Sequence, residues 1–276
     1  MIFLYLLSFL VLVPFMWMIS IAFTPEEQAF GQVALIPTDP TLGNFETAWI
    51  DANIFRAMTN SAIVALTVVL SNSVIAVMAG YAFAMLPFRG SFAVFVTIIS
   101  TTAIPVSVTL IPLFLMARGI PLAGGNDIFG QGGSGLLDTL AGVMLPYLVL
   151  PMNIFLARQY FSMAPTELAE AARIDGAGEW AIFARIYLPL ARPLIAVVAV
   201  FSFVGVWDDF LWPLVVTNSA EAQTVQLALA RFLATGNIQY GPLMAGAVLA
   251  TIPVVILFLF NQRAFVSGLA DGSVKG

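Results

Sequence analysis

Histidine and cysteine are both missing from this chain, and lysine occurs once, at Lys275. The first two absences exclude a disulfide frame, a Cys or His metal site, and thiol or imidazole catalysis. One lysine and scattered arginines leave no basic patch for nucleic acid. A glycine-rich phosphate loop ending in Gly-Lys-Ser or Gly-Lys-Thr occurs nowhere, so the chain is not its own P-loop ATPase. Charge of either sign is scarce: 9% of the 276 residues are charged and 61% are hydrophobic, where a soluble domain carries about 25% charged residues. The composition is that of a membrane protein, whose unit of organisation is a run of about 20 apolar residues.

Six runs are long enough to cross a bilayer: 1–23, 57–86, 92–117, 136–161, 190–217 and 241–261. They imply an all-α integral membrane fold of six transmembrane helices in one domain covering 1–276. The first run lacks a basic n-region and an A-x-A cleavage site, so it reads as a retained span. Its abrupt apolar start leads us to expect a short basic tail ahead of Met1. With the N-terminus cytoplasmic, Arg89, Arg158, Arg173, Arg185, Arg192, Arg263 and Lys275 fall inside, and only Arg56, Arg118 and Arg231 fall outside. That asymmetry follows the positive-inside rule and puts both termini in the cytoplasm.

The segment after the first run, with Pro37, Pro40 and Trp49, reads as loop plus a short interfacial helix. Small residues Ala76, Gly80 and Ala84 recur every four residues in the second run and predict close helix packing. Asn60, Ser61 and Asn72 read as hydrogen-bonding groups between helices. Pro105 and Pro112 break the third run, either lining a cavity or acting as static kinks. A glycine-rich external loop covers 118–135. Pro146 and Pro151 interrupt the fourth run, where Asn153 faces either a pathway or a neighbouring helix. Asp208 and Asp209 are the only carboxylates at membrane depth, beside Trp207. They mark a pathway or packing function, or they lie wet near the outer interface with Trp207 and Trp212 as belt residues. The substrate-pathway candidates are Asn153, Trp207, Asp208 and Asp209; there is no candidate catalytic or metal residue.

Between the fourth and fifth runs lies the one long polar stretch, 162–189. Glu167 and Glu170 suit the positive end of a helix dipole, with Pro165 in the first turn. Leu168, Ala171 and Ala172 share a face at spacings of three and four, apolar but nearly flat. Gly176 offers a left-handed helix end, and Leu188-Pro189 stops the second helix. The prediction is a short helix, a glycine turn and a second short helix, held outside the bilayer as a docking element.

This stretch carries Glu170-Ala171-Ala172, then Gly176 after three residues, then Ile186, Leu188 and Pro189 after nine more. It resembles the EAA loop of bacterial ABC importer permeases at all seven specified positions. Seven fixed positions match by chance at roughly one in 10⁷ to 10⁸ per start site. Asn44-Phe45, Ala79 to Ala84, Phe88-Arg89-Gly90, Trp207 to Pro213, Leu243 to Ala247 and the final Gly268-Leu269 to Val274-Lys275-Gly276 extend the resemblance to the maltose-type carbohydrate branch over nearly the whole chain. The resemblance implies a multi-pass subunit of a bacterial or archaeal cytoplasmic membrane. It also implies a second homologous permease, two cytoplasmic ATPase subunits that bind ATP and magnesium, and an extracytoplasmic solute-binding protein. This chain would hold no cofactor. Coupling to the ATPase would fall to Glu170, Ala171, Ala172 and Gly176, with Leu168, Arg173 and Asp175.

One departure concerns the cargo. The family pattern has Trp-Asn-Asp or Trp-Asn-Glu where this chain has Trp207-Asp208-Asp209. The added carboxylate makes the local potential more negative, which favours a neutral sugar over glycerol phosphate. The rival readings are an ion-coupled secondary transporter using Asp208 and Asp209, and a membrane enzyme using them as acid and base. Adjacent helical residues point about 100° apart, so both could face one site only across a helix break.

Overall fold

A computed structural model describes residues 2–28, 35–234 and 238–273, which form helices and loops with no strand among them. Three helices are long and apolar enough to cross a membrane: Phe3–Phe23, Ile54–Met85 and Tyr240–Gln262. Three further pairs qualify as spans only when joined across a bend: Ser91–Ala103 with Val106–Arg118 at 106°, Leu140–Tyr147 with Pro151–Ser162 at 42°, and Glu179–Leu190 with Arg192–Trp207 at 74°. The described residues thus hold three to six candidate spans. The last helix extends to Ser273; Met1 and the end of the last matched segment, Val274 to Gly276, lie outside the described residues.

The breaks have local causes, and several differ from the sequence expectation. Ile104 is pushed into the extended region by the ring of Pro105 (φ −81°, ψ 121°), which ends the preceding turn. Pro112, expected to break the same run, sits inside the unbroken helix Val106–Arg118. The fourth run starts at Leu140 rather than Leu136, because Thr139 caps the helix and accepts a hydrogen bond from the Gly142 N–H at 3.1 Å. The second helix of the polar stretch ends at Leu190, one residue past Pro189 as expected, and reaches it through an unexpected π turn at Phe183–Tyr187. The wider turn just ahead of the proline ring relieves its clash with the preceding carbonyls. The fifth run is interrupted at Asp208–Phe210 between the helices Arg192–Trp207 and Leu211–Val216.

The chain divides into two compact units, residues Met1–Ala62 with Asp209–Ile256, and Ile63–Asp208 with Leu257–Gly276. The first is tied by side chains that close helix ends. The buried Asn44, at the start of the helix Gly43–Asp51, donates to the Ala22 and Thr24 carbonyls at 3.0 and 2.7 Å, capping the end of the first helix. Glu26 accepts from the Tyr240 and Gly241 N–H groups at 3.0 and 2.6 Å, capping the start of the last. A Cβ on Gly241 would lie 2.5 Å from the Asn44 Oδ1 and 2.6 Å from the Glu26 Oε2, so only glycine fits between the two caps. Asn60 donates to the Glu221 and Gln223 carbonyls, and Ser61 accepts from the Val225 N–H. The helix Val225–Ala234 was not expected, although Val225, Ala228, Leu229 and Phe232 recur at helical spacing and are all buried.

In the second unit the small-residue stripe behaves as read. Ala76 and Gly80 are buried, and a Cβ on Gly80 would overlap the Ala157 Cβ and come within 2.7 Å of its carbonyl carbon. This close approach sets the long helix against Pro151–Ser162. Asn72 then serves the break ahead of that helix: its Nδ2 donates to the Tyr147 carbonyl at 2.8 Å, and its Oδ1 accepts from the Leu150 N–H at 2.9 Å. Asn153, 2% exposed, donates to the same Oδ1 at 3.2 Å and to the Ser202 Oγ at 2.9 Å. One polar knot joins three helices where proline has opened the backbone.

Asn72→Leu leaves the Leu150 N–H and the Tyr147 carbonyl short of a partner in an apolar core. It is expected to destabilise the purified subunit by about 2–6 kcal/mol, at roughly 1–3 kcal/mol for each of the two groups. Gly205→Ala, which meets open space, should stay within about 0.5 kcal/mol of wild type. Thermal unfolding in detergent checks both; equal effects would remove the knot from its assigned role.

Candidate functional site

The polar stretch folds as a helix, Glu167–Ile174, a turn at Gly176, and a second helix, Glu179–Leu190. Pro165 lies before the first helix rather than in its first turn. The turn is a Schellman motif: the Gly176 N–H bonds to the Arg173 carbonyl at 3.0 Å and the Ala177 N–H to the Ala172 carbonyl at 2.9 Å. Gly176 takes φ 80°, a left-handed value, with open space where a Cβ would stand. The requirement there is conformational, with no clash to avoid.

Two side-chain contacts brace the turn. Arg173 donates through Nε and Nη2 to the two carboxylate oxygens of Glu179, at 2.7 and 3.2 Å. That hydrogen bonding holds the Glu179 carboxyl below its usual range. Tyr187, fully buried, donates its hydroxyl to the Pro165 carbonyl at 2.7 Å, tying the second helix to the chain entering the first. The whole element is rooted in an aromatic core. The Tyr81 ring lies 4.9 Å from Phe183, 5.4 Å from Tyr187 and 5.5 Å from Phe161, centroid to centroid. Ala169 and Ile182 are buried in the same cluster.

This rooting decides which way the first helix faces. Ala169 points inward and the half-buried Ala172 packs beside it, so the opposite face, about 180° around, carries Glu167, Glu170, Ala171 and Ile174. The flat face expected from Leu168, Ala171 and Ala172 together is therefore split. Ala172 packs against its own chain; Leu168 sits on the flank at 42% exposure; Glu170, Ala171, Arg173 and Asp175 are exposed. Ile174 is the side chain the sequence reading passed over. It is 87% exposed, at the outward end of the face. Its spacing of three from Ala171 was the available signal, and Glu179 and Tyr187 were likewise invisible as braces until the turn brought them back.

The four pathway candidates have different surroundings. Asn153 belongs to the polar knot and faces neighbouring helices. Trp207 is 2% exposed and stacked on Phe203 at 5.1 Å, and Trp212 is 1% exposed; neither is a belt residue at a lipid surface. Asp208 is exposed just past the helix end, and Asp209 is half-buried. The helix break between Trp207 and Leu211 releases these two carboxylates from the fixed 100° offset of a continuous helix. No group of three or more His, Cys, Asp or Glu able to hold a metal occurs among the described residues.

Comparison with known proteins covers both this element and the bundle. Residues 72–271 match the family described as binding-protein-dependent transport system inner membrane component. The chain is 33% identical over 274 residues to the arabinooligosaccharides transport system permease protein AraQ of Halalkalibacterium halodurans, covering 98% of this chain and 93% of the relative. It is 32% identical over 271 residues to the lactose transport system permease protein LacG of Rhizobium radiobacter, again covering 98% and 93%. Among solved structures, a bacterial ABC transporter involved in the import of the acidic polysaccharide alginate matches with a TM-score of 0.78 and 22% identity, over 95% of this chain and 93% of that one. At that identity the likeness is one of fold.

Because Gly176 needs only a left-handed backbone, Gly176→Asn should keep the turn and Gly176→Val should strain it by roughly 1–2 kcal/mol. Hydrogen exchange at the Gly176 and Ala177 amides reads the difference directly. Similar protection in both variants would show that the turn does not depend on the left-handed conformation.

Proposed function

Because the chain belongs to the family of binding-protein-dependent transport system inner membrane components, we propose that it is the transmembrane subunit of an ATP-driven importer carrying a neutral mono-, di- or oligosaccharide across the cytoplasmic membrane. Two of the bent pairs, Ser91–Ala103 with Val106–Arg118 and Leu140–Tyr147 with Pro151–Ser162, each complete one crossing, and Arg192–Trp207 with the segment that follows completes another, giving six spans in one permease domain with both termini and the helix–turn–helix in the cytoplasm. It is a permease subunit and not an enzyme, as its relatives are. Its partners are a second homologous permease, two cytoplasmic ATPase subunits that hold ATP and magnesium, and an extracytoplasmic solute-binding protein.

The observation that carries this reading is the helix–turn–helix itself. It is stiffened at its turn, rooted in the core through Ala169, Ile182, Phe183 and Tyr187, and open on the face of Glu170, Ala171 and Ile174. An element held on one side and free on the other can pass a push from a partner into the bundle without flexing. ATP-driven closure of the ATPase pair moves it, the spans open outward to receive the sugar, and hydrolysis returns them inward. Glu170 supplies charge to the docking face, and Ile174 with Ala171 supplies its apolar contact.

The carbohydrate reading rests on the two sugar-transporting relatives. The preference for a neutral one rests on Asp208 and Asp209, whose paired negative charge disfavours an anion nearby. Fold does not decide this point, since the alginate importer with the same fold carries an acidic polysaccharide.

ATPase activity of the reconstituted complex tests the proposal, with and without its binding protein, over neutral sugars and glycerol phosphate. One loaded binding protein should stimulate hydrolysis, and Glu170→Lys or Ile174→Asp should reduce that stimulation by roughly tenfold, within the usual range of coupling energies. Ile174 anchors nothing in its own chain, so its variant should be as stable as wild type. Uptake by this chain alone, driven by an ion gradient, would replace the importer with a carrier working through Asp208 and Asp209.

A further inference from the structure

Arg158 stands one turn before the end of the helix Pro151–Ser162, and its guanidinium carbon lies 4.5 Å from the centre of the Phe95 ring. That ring belongs to a cluster. Phe95 is 5.5 Å from Phe83 and 6.3 Å from Phe155, and Phe83 is 5.8 Å from Phe88. The ring face attracts the cation, but the N–H donors of a guanidinium still need acceptors. Among the described residues Arg158 makes no hydrogen bond and no ion pair. The side-chain atoms buried there without a partner belong to Tyr81, Gln223 and Thr224, so the donors of the half-buried Arg158 reach the surface. A second guanidinium, on the exposed Arg89, follows directly on Phe88 in the turn that the same rings anchor. It too lacks a carboxylate partner among the described residues.

We propose that Arg158 binds the phosphate of an anionic phospholipid in the cytoplasmic leaflet, with Arg89 as its second contact; the choice of leaflet rests on the orientation proposed above. Depth argues for a lipid. Phe95 is the fifth residue of the helix Ser91–Ser100, and the Arg158 backbone lies against Gly80, five residues before Met85. At 1.5 Å per residue both positions are about 6–8 Å inside the inner helix ends. The helix Ile54–Met85 has 32 residues, about 48 Å against a hydrocarbon core of about 30 Å, which leaves about 9 Å of overhang at each end when shared equally. The guanidinium therefore stands on the headgroup side of the hydrocarbon edge, where lipid phosphates are. The flank argues the same way. Phe92 and Val96, 76% and 41% exposed, follow one another at a spacing of four beside Phe95. That surface suits an acyl chain and offers nothing to a free anion. A phosphate accepts guanidinium N–H donors in pairs, and two arginines without a carboxylate favour a headgroup of net negative charge. A lipid held there pins the end of the helix that leads into the helix–turn–helix.

The test uses the complex assembled with its partner subunits, purified in detergent and titrated with phosphatidylglycerol, with native mass spectrometry counting the lipids retained. Arg158→Gln should weaken the tightest phosphatidylglycerol by roughly tenfold or more, the value of charge-assisted hydrogen bonds. Arg89→Gln, in an exposed turn, should weaken it by roughly fivefold, the value of one arginine near an anionic headgroup. Should Arg158→Gln fail to assemble, Arg89→Gln decides alone. Arg185→Gln, exposed on the helix–turn–helix, should leave binding unchanged. Phosphatidylcholine should bind more weakly than phosphatidylglycerol, and inorganic phosphate in millimolar excess should not displace the lipid. Unchanged retention in Arg158→Gln, equal binding of phosphatidylcholine, or displacement by inorganic phosphate would overturn the site. So would a cross-link from Arg158→benzoylphenylalanine to a partner subunit, which would make the guanidinium a subunit contact. Lipid counting requires no sugar, no ATP and no particular orientation, so its failure is distinguishable from a failure of the importer reading.

Discussion

A chain surrounded by hydrocarbon cannot leave a backbone N–H or C=O unpaired, and the rest of this structure depends on how that constraint is met. Continuous helices satisfy it internally, but this chain bends its helices repeatedly, and every bend frees groups that lipid cannot solvate. Most of the buried asparagines, and the buried Gln223, are placed accordingly. Asn72 takes the groups released between Tyr147 and Leu150; Asn44 takes the carbonyls at the end of the first helix; Asn60 and Gln223 take those of Glu221, Gln223 and Ala52. Asn44, Asn60, Asn72 and Gln223 here repair the backbone, while Asn153 bonds to the side chains of Asn72 and Ser202. A similar repair operates outside the bundle, where Asn126 closes the glycine-rich loop by donating to the Arg118 and Ile120 carbonyls and accepting from the Gly133 N–H.

That division of labour explains which parts of the structure were legible in the sequence. The three long helices were visible because length and hydropathy suffice to define them. The helix–turn–helix was visible because Gly176, the acidic first turn and the spacing of its apolar residues agree on one local answer. The bends were half visible. Pro105 and Pro151 mark real breaks, but Pro112 does not, and the interruption at Asp208–Phe210 contains no proline at all. Whether a proline breaks a helix depends on what donates to the orphaned carbonyl, which is a tertiary fact. The helix Val225–Ala234 is a different case: its spacing of buried residues stood in the sequence, hidden by its position between two apolar runs.

The site candidates divide along the same line. Glu170, Ala171 and Gly176 could be chosen from a local pattern, and the structure leaves all three exposed. Asn153 and Trp207 were chosen because polar or aromatic residues at depth invite a functional reading, and the structure buries both in packing. Ala172 is the instructive one. Its spacing from Leu168 is correct for a shared face, but the direction of the core, set by Ala169 against Phe183 and Tyr187, turns it inward. A helical wheel gives relative angles; only packing supplies the zero.

The mechanical argument rests on where stiffness comes from. Both side chains of the Arg173–Glu179 pair are more than 40% exposed, and exposed pairs contribute little because water and salt screen them. This pair aligns the two helices but cannot by itself resist a push between them. Resistance comes from fixed geometry and from the core: the Schellman bonds that close the exposed turn at Gly176, the buried Tyr187 side chain bonded to the Pro165 carbonyl, and the aromatic rings packed around Tyr81. The same rings bring the long helix into contact with the second helix of the helix–turn–helix, so under the coupling role proposed for that element a displacement imposed at Glu170 or Ile174 has a rigid route to Tyr81. From there it passes to Gly80, where the backbone lies too close to Ala157 to slide without moving Pro151–Ser162. A contact that admits no side chain transmits motion because it has no slack to absorb it.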